Sequence, residues 1–298
     1  MLPCFNILKK KNTEVSPTPS PSVPPKVLPS PSPPNITTNI WKSLESIDIN
    51  KIKQYDFPEN KYFHDEYNKT QIVLHHTVSG PGIDGDVSTW VDGKYNVGVT
   101  IIVDRNGVPW QLFPSKNWAY HLGTGDHSLD KHSIAIEIDN WGGLILGDGT
   151  NKQFGKNEDG TPRMIFTATG KYYAYYGNAV NVLMQEYPDG YRGYKYFEKY
   201  TLEQIRTVGE LILFWHNKYN IPLYYNSSMF NLSQEALRGK PGVWTHTSYR
   251  IDKSDIHPQP EMIEMLMAIL TDEMPVSFKL KRRKFILGRK KGLDVENL

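Results

Sequence analysis

The sequence predicts an α/β domain, because segments with the periodicity of strands and segments with the periodicity of helices occur together in one chain of 298 residues. The stretches "TQIVLHHT" (70–77) and "HSIAIEID" (132–139) are typical of strands, the first of them buried. The stretch "YTLEQIRTVGELILFWHNKY" (200–219) has apolar residues at helical spacing. A length near 300 residues allows one large domain or two small ones.

The remaining elements follow from local signals. Residues 97–112, "VGVTIIVDRNGVPWQL", are rich in β-formers, and Asn106-Gly107 predicts the turn of a hairpin. The helix near 200–219 should begin at a capping box formed by Thr201 and Gln204. A second helix is expected in "PEMIEMLMAILTDE", with Pro260 in its first turn.

The two ends of the chain differ in composition from the middle. Nine of the 21 prolines lie between Pro17 and Pro34, a density that predicts an extended spacer without a core. We therefore expect a disordered Pro-rich segment over residues 1–40, a folded domain over 41–275 and a basic tail over 276–298. Residues 142–199 are rich in Gly and Tyr without a clear period, which predicts a long functional loop inserted in the domain.

Composition excludes several classes of protein. Hydrophobic residues make up 39% of the chain and charged residues 22%, as in soluble globular proteins. Cys4 is the single cysteine, so an intramolecular disulfide and a CxxC zinc motif are both excluded. No segment approaches the roughly 20 apolar residues of a membrane span. Because the first residues also lack the pattern of a secretory signal, we expect synthesis in the cytoplasm.

The net charge of +2 is unevenly distributed. Residues 279–298 contain eight Lys or Arg and two acids, which gives this tail a charge of +6. Such a tail predicts electrostatic contact with an anionic wall polymer or membrane, although it is also compatible with a solvated tail that only aids solubility. Nucleic acid is not expected as a partner, because the tail lacks interleaved aromatic residues and a groove-reading motif.

Three separated residues could form a metal site. His75 lies at the end of the first predicted strand, and "WTHTSYRIDKSDIHPQP" (244–260) supplies His246 and Asp255 nine residues apart. Two imidazoles and one carboxylate would leave an open position on a zinc ion. A lone histidine is more often structural than a ligand, so spacing alone leaves both interpretations open.

Glu137 is a candidate for acid–base chemistry. It lies in a strand otherwise made of Ile and Ala, where burial of a carboxyl group is unfavourable unless the group has a partner or a task. The alternative is an edge position that faces water.

Four stretches in this order resemble the type-2 family of zinc-dependent N-acetylmuramoyl-L-alanine amidases, which is related to peptidoglycan recognition proteins and to phage lysozyme-type amidases. They are "IVLHHT", "YNVGVTIIVDRNGVPWQL" followed by "WAYHLG", "SIAIEIDNWG" and "WTHTSYRIDKSD", and the resemblance covers roughly residues 70–270. It implies a central mixed β-sheet flanked by helices, with Zn²⁺ in a surface groove.

The resemblance also implies roles for individual residues. The metal ligands would be His75, His246 and Asp255; Glu137 would be the general base and then acid; and Lys253 would stabilise the oxyanion. One departure from the family is Val99, which stands where phage lysozyme-type members carry a tyrosine. Since no tyrosine can take part at this position, the catalytic role expected of Glu137 is greater.

The expected substrate is peptidoglycan, both glycan strand and stem peptide. His76, on the opposite face of the strand from His75, should be a supporting residue or contact the substrate. The other candidate substrate-binding residues are His121, Trp141, Arg192 and Tyr194, the last two on the wall that the insertion would add to the groove.

The implied activity is hydrolysis of the bond between N-acetylmuramic acid and L-alanine, in a phage lysin released after synthesis, a bacterial wall-lytic enzyme or a cytoplasmic recycling enzyme. A non-catalytic binding module and a virion or cell-surface component of the same fold are the alternatives.

Overall fold

The computed structural model describes residues 38–157 and 159–270. The predictions for the Pro-rich segment and for the basic tail lie outside these residues, so the domain limits at 41 and 275 stay predictions. Within the described ranges, no helix combines the length and the apolar character that a bilayer crossing requires.

The described residues form thirteen strands and six helices, joined by short 3₁₀ turns. The strands are β1 Lys53–Gln54, β2 Gln71–His76, β3 Ile101–Val103, β4 Pro109–Gln111, β5 Ser133–Ile138, β6 Gly143–Leu146, β7 Asn151–Lys156, β8 Pro162–Phe166, β9 Tyr172–Tyr173, β10 Ala179–Val180, β11 Met184–Tyr191, β12 Tyr194–Glu198 and β13 Gly242–Thr245. The helices are α1 Thr38–Lys42, α2 Ile83–Val91, α3 His127–Lys131, α4 Leu202–Tyr219, α5 Gln234–Leu237 and α6 Pro260–Ile269.

The central sheet has six strands in the order β1-β4-β3-β5-β2-β13 and is mixed. Strands β3, β5 and β2 and the edge strand β13 run parallel, while β4 is antiparallel to β3 and forms with it the hairpin predicted from Asn106-Gly107. Gly107 has a φ of +78°, which explains the glycine in this turn. The predicted α/β class with a central mixed sheet is confirmed.

Helices cover the sheet on both faces. On one face, apolar residues of β2 and β5 pack with α4 and α6, whose buried side chains include Leu211 and Leu266. On the other face, Ala135 of β5 and Ile102 of β3 pack against Val87 of α2. Both predicted helices are confirmed: α4 begins at the Thr201 capping box and α6 begins with Pro260.

The segment 142–199 differs from the prediction of a long loop, since it contains strands β6 to β12. Five of them form an antiparallel sheet in the order β10-β9-β6-β12-β11, and β7 and β8 form a separate hairpin. Most of these strands are half-exposed on both faces, and the register shifts between Glu186 and Tyr191 and between Gln153 and Lys156. The alternation of apolar and polar residues that would reveal a strand is therefore weak.

Candidate functional site

The candidate site lies at the carboxyl ends of three parallel strands. His75 of β2 is in register with Glu137 of β5, so both side chains point to the same face of the sheet. Thr245, the last residue of β13, pairs with Leu74 of β2, which places His246 beside His75. Parallel strands present their carboxyl ends at one edge, where open α/β sheets form their binding crevices.

The chain after β13 turns back to deliver the carboxylate. His246 begins a 3₁₀ turn that is closed by a reciprocal capping box between Thr245 and Ser248. The backbone N–H of Thr247 donates to the carbonyl oxygen of Asp255 at 3.0 Å, which closes the loop 246–255. This loop geometry brings two ligand types from a single segment to one point.

Three side-chain atoms meet there. His246 Nδ1 is 2.8 Å and His75 Nδ1 is 3.2 Å from Asp255 Oδ2, and the two Nδ1 atoms are 3.0 Å apart. These three residues form the one group among the described residues in which three His, Cys, Asp or Glu ligand atoms come close enough to share an ion. The convergence that the sequence predicted is present in the structure.

The chemistry of the three atoms suits a divalent cation. His246 Nε2 is 3.0 Å from the carbonyl oxygen of Leu122, which accepts only, so the ring proton lies on Nε2 and the lone pair of Nδ1 faces inward. Lone pairs facing a carboxylate oxygen at these distances repel unless a proton or a cation lies between them. Two imidazole nitrogens and one carboxylate oxygen form a set of zinc ligands that leaves one position open. The residues present therefore fit Zn²⁺.

The protonation states of His75 and Asp255 are consistent with binding of Zn²⁺. Burial lowers the pKa of His75 to about 4, so the ring is neutral near pH 7. Burial alone would raise the pKa of Asp255, but the close approach of His246 and His75 holds that pKa well below its usual value. The site thus offers neutral imidazole and ionised carboxylate, the forms that bind metal.

Glu137 lies beside these residues, with 5% of its surface exposed. Burial raises the pKa of this carboxyl group well above its usual value, and the charges of Asp255 and Asp86 act in the same direction. Lys253 opposes the shift. A carboxyl group balanced in this way can hold or release a proton as the neighbouring charge changes, which is the requirement for acid–base work. The edge position facing water is excluded.

A cavity of about 370 Å³ opens above the site and is lined by Glu137, Lys253 and the three convergent residues. Trp90 and Tyr120 form part of one wall. The insertion forms part of the other wall, so the predicted position of the insertion along the groove agrees with the structure. The residues that it contributes are Gly143, Tyr175, Tyr176, Arg192 and Tyr194.

The structure places the five candidate substrate-binding residues differently. Tyr194 is half-buried in the cavity wall, and its ring is so close to Gly143 that a Cβ there would lie 2.3 Å from Cγ of the tyrosine. Arg192 also lines the cavity, but its guanidinium group donates to the carbonyl oxygen of Ile251 at 3.0 Å. Trp141 is not among the residues that line the cavity, and its ring lies 5.9 Å from the guanidinium carbon of Arg105.

His76 and His121 reach the cavity but are committed to protein partners. His76 is 3% exposed, and its Nδ1 is 2.8 Å from the hydroxyl group of Tyr200. The side chain of His121 is 4% exposed and contacts His75 and Ser133. Contact of these two residues with substrate stays a prediction, as it does for Trp141.

Sequence reasoning missed several residues of the site. The ring centroids of Tyr175 and Tyr176 lie 5.1 Å apart in an edge-to-face pair in the cavity wall, within the run "YYAYYG", which has no periodicity that would indicate a site. Asp86 is 5% exposed in α2, where burial raises its pKa to about 8. A charged residue in the first turn of a helix is a common capping signal, so no sequence feature distinguished it.

The comparisons with known proteins point to one family. The family model described as N-acetylmuramoyl-L-alanine amidase matches residues 66–260, which is more than half of the chain. No curated protein sequence matches this chain.

Solved structures to which this chain is similar include PlyL, at 13% identity and a TM-score of 0.41, covering 75% of this chain and 99% of that one. A derivative of AmpD matches at 12% identity and a TM-score of 0.40, with 76% and 99% covered. The N-acetylmuramoyl-L-alanine amidase LysC from Clostridium intestinale URNW matches at 12% identity and a TM-score of 0.38, with 73% and 95% covered.

Proposed function

This chain belongs to the N-acetylmuramoyl-L-alanine amidase family, a hydrolase family whose substrate is peptidoglycan, and we propose that it acts through a zinc centre held by His75, His246 and Asp255. The observation that carries this proposal is the meeting of two imidazole Nδ1 atoms and one carboxylate oxygen within 3.2 Å of one another. The expected reaction is hydrolysis of the amide bond between the lactyl group of N-acetylmuramic acid and L-alanine of the stem peptide.

When bound, zinc supplies Lewis-acid chemistry that activates water near neutral pH. Glu137, on the adjacent strand, takes the proton of the attacking water and later gives a proton to the leaving amine. Burial raises the pKa of this carboxyl group well above its usual value, which supports the second step because the group then holds the proton that the leaving amine must receive.

We propose that Lys253 stabilises negative charge on the amide oxygen in the transition state. It lines the same cavity as Glu137, and its charge is near enough to influence the pKa of His75, Glu137 and Asp255. Removal of one such donor typically costs about 3–4 kcal/mol of transition-state stabilisation.

The experiment that tests the proposal is mass spectrometry of the products from a defined muropeptide, with zinc and with a chelator. We expect free stem peptide and intact N-acetylmuramic acid in the zinc sample, and uncleaved substrate in the chelated sample. Cleavage at another bond would contradict the proposed reaction. Binding to sacculi without release of stem peptide would indicate the alternative, a recognition module or a virion component of the same fold.

The place of action is a separate proposal. We propose a lysin made in the cytoplasm that reaches the wall after release, since the Pro-rich spacer and the long insertion suit a tethered wall enzyme better than a recycling enzyme.

We further propose that residues 279–298, with a charge of +6, adhere to anionic wall or membrane. Deletion of this tail should weaken binding to cells at low salt, with the difference shrinking as salt rises. Equal binding of both forms at low salt would contradict this role.

A further inference from the structure

The dipeptide His121-Leu122 contacts the outer ring nitrogen of both candidate histidine ligands. The carbonyl oxygen of Leu122 accepts from His246 Nε2 at 3.0 Å. Nδ1 of His121 lies 3.1 Å from His75 Nε2. One short stretch of chain therefore lies behind both rings, on the side away from Asp255.

The direction of each hydrogen bond near His121 follows from Ser133. The Ser133 hydroxyl group is 2.7 Å from the carbonyl oxygen of Leu129, and a carbonyl can only accept, so the hydroxyl proton points to Leu129. His121 Nε2 is also 2.7 Å from Ser133 Oγ and must then donate to it. A neutral His121 with its proton on Nε2 has a lone pair on Nδ1, which accepts from Nε2–H of His75.

This chain of donors determines the tautomer of His75. With its proton on Nε2, the lone pair of His75 Nδ1 faces His246 Nδ1 and Asp255 Oδ2, at 3.0 and 3.2 Å. The opposite tautomer would place a proton in the metal position and leave two lone pairs facing each other between His75 and His121. The hydrogen bonds that run from His75 through His121 and Ser133 to the carbonyl oxygen of Leu129 are therefore compatible with only one tautomer of His75.

Asp130 of α3 fixes the dipeptide itself. Its Oδ1 accepts from the backbone N–H groups of His121 and Leu122, both at 3.0 Å, and the residue is 2% exposed. Hydrogen bonds from two backbone amides are strong when the acceptor is a carboxylate. The segment that supports both rings is thereby joined to the same short helix that supplies the carbonyl group of Leu129.

We propose that His121 is a positioning residue, which holds His75 in the tautomer that presents Nδ1 to the metal and relies on Ser133 for its own proton. The inference rests on the proposed zinc centre. It replaces the expectation of a substrate contact, because 4% exposure of the His121 side chain leaves little surface for substrate.

Two substitutions of similar shape distinguish positioning of His75 from contact with the substrate. In His121→Asn, the amide oxygen replaces Nδ1 and can still accept from His75. In His121→Gln, the amide group reaches toward Ser133 and leaves the Nδ1 position without an acceptor. Ser133→Ala removes the acceptor that fixes the proton of His121. The control is His64→Gln, an exposed histidine whose Nε2 is 3.1 Å from the carbonyl oxygen of Glu59.

The experiment measures the zinc dissociation constant of the full chain by competition with a chromophoric chelator, together with KM and kcat for a muropeptide. Residues that orient metal ligands typically change metal affinity by 10–100-fold when mutated. We expect weakening by about 10–100-fold for His121→Gln, about tenfold for Ser133→Ala, and less than threefold for His121→Asn and the control. ¹⁵N NMR of the histidine rings before zinc is added should show a single Nε2–H tautomer of His75 in the wild type and a mixture in His121→Gln.

Other outcomes would overturn the proposal. Unchanged zinc affinity in His121→Gln with a raised KM would identify His121 as a substrate contact. Equal weakening in His121→Asn and His121→Gln would show that the acceptor at Nδ1 is not the feature that matters. If the wild type bound no zinc, the proposed metal centre itself would be wrong. If zinc bound with the same affinity after substitution of His121 or Ser133, only the positioning role would be contradicted.

Discussion

Lys69 gives a prediction whose size can be worked from the structure. This residue is 1% exposed, and its Nζ donates to the carbonyl oxygens of Asn117 and Lys131, at 2.8 and 2.7 Å. Burial lowers the pKa of Lys69 to about 7, although Asp130 acts in the opposite direction. Since Lys131 ends α3, this lysine anchors the helix whose Asp130 supports the His121-Leu122 dipeptide.

The sign of the effect on stability follows from proton binding. The unfolded chain binds the Lys69 proton up to a pKa near 10.5, whereas the folded protein releases it near pH 7. Between these values the unfolded state binds more protons, so the contribution of Lys69 to the free energy of unfolding rises with pH. One pKa unit corresponds to about 1.4 kcal/mol, and half-protonation at pH 7 reduces the gain between pH 7 and pH 9 to about 2 kcal/mol.

The substitution Lys69→Met keeps an unbranched side chain and removes the titration. We expect the stability difference between wild type and variant to shift by about 2 kcal/mol in favour of the wild type from pH 7 to pH 9. The measurement is urea unfolding followed by tryptophan fluorescence, with chelator present so that metal binding does not contribute. A difference that stays the same within about 0.5 kcal/mol would refute the lowered pKa of Lys69. Tyrosines titrate similarly in both proteins and cancel.

Three further predictions concern the candidate site. Glu137→Gln should retain zinc and sacculus binding but lower kcat by about 10²–10⁴-fold; near-normal turnover in a muropeptide assay would refute its role. Lys253→Met should lower kcat by about 10²–10³-fold with the zinc content unchanged, and a change confined to KM would point to substrate binding instead. His246→Ala should purify without metal, because removal of one ligand leaves His75 and Asp255 alone; a full zinc complement by elemental analysis would show that the ligand set is wrong.

The central sheet and its site were predictable because they depend on features that are local in the sequence. The apolar runs that end at His75 and precede Asp139 mark parallel strands, and parallel strands place their carboxyl ends at one edge. His246 and Asp255 lie close in sequence, and the loop between them is short enough that both reach the same point. Residue types and spacing still left a structural role for the histidines open, and the resemblance to the amidase family supplied the prediction that these three side chains converge.

The role of His121 could not be predicted in this way. Its proposed function depends on which atoms lie within hydrogen-bond distance of each ring nitrogen, and these belong to His75 and Ser133, 46 and 12 residues away. The motif that contains His121 indicates proximity to the groove but carries no information about the direction of a hydrogen bond. Tautomers are set by neighbours in space, and the sequence does not contain that distance information.

The insertion was misjudged as a loop for a related reason, and its actual structure changes how its role should be viewed. The hairpin of β11 and β12 contacts the loop that carries the candidate ligands His246 and Asp255. The carbonyl oxygen of Ile256 lies 3.3 Å from the Tyr191 hydroxyl group, whose nearer acceptor is the carbonyl oxygen of Phe230 at 2.9 Å, and the carbonyl oxygen of Ile251 accepts from Arg192 at 3.0 Å. Both carbonyls lie within four residues of Asp255. A segment that forms a wall of the cavity therefore also holds the backbone that presents the carboxylate.

These two tasks favour a folded insertion over a flexible one. Fixing a loop in one conformation costs backbone entropy, and hydrogen bonds to its carbonyl groups offset that cost only if the donors are themselves fixed. The ring of Phe197 stacks on His257 at 4.6 Å, and the Tyr187 hydroxyl group is 2.8 Å from His257 Nδ1. These contacts fix β11 and β12 against the residues that follow Asp255. The residues that line the cavity and the residues that hold the loop near Asp255 thus belong to one small sheet. A change in the insertion should therefore affect both substrate binding and the geometry of the proposed metal site.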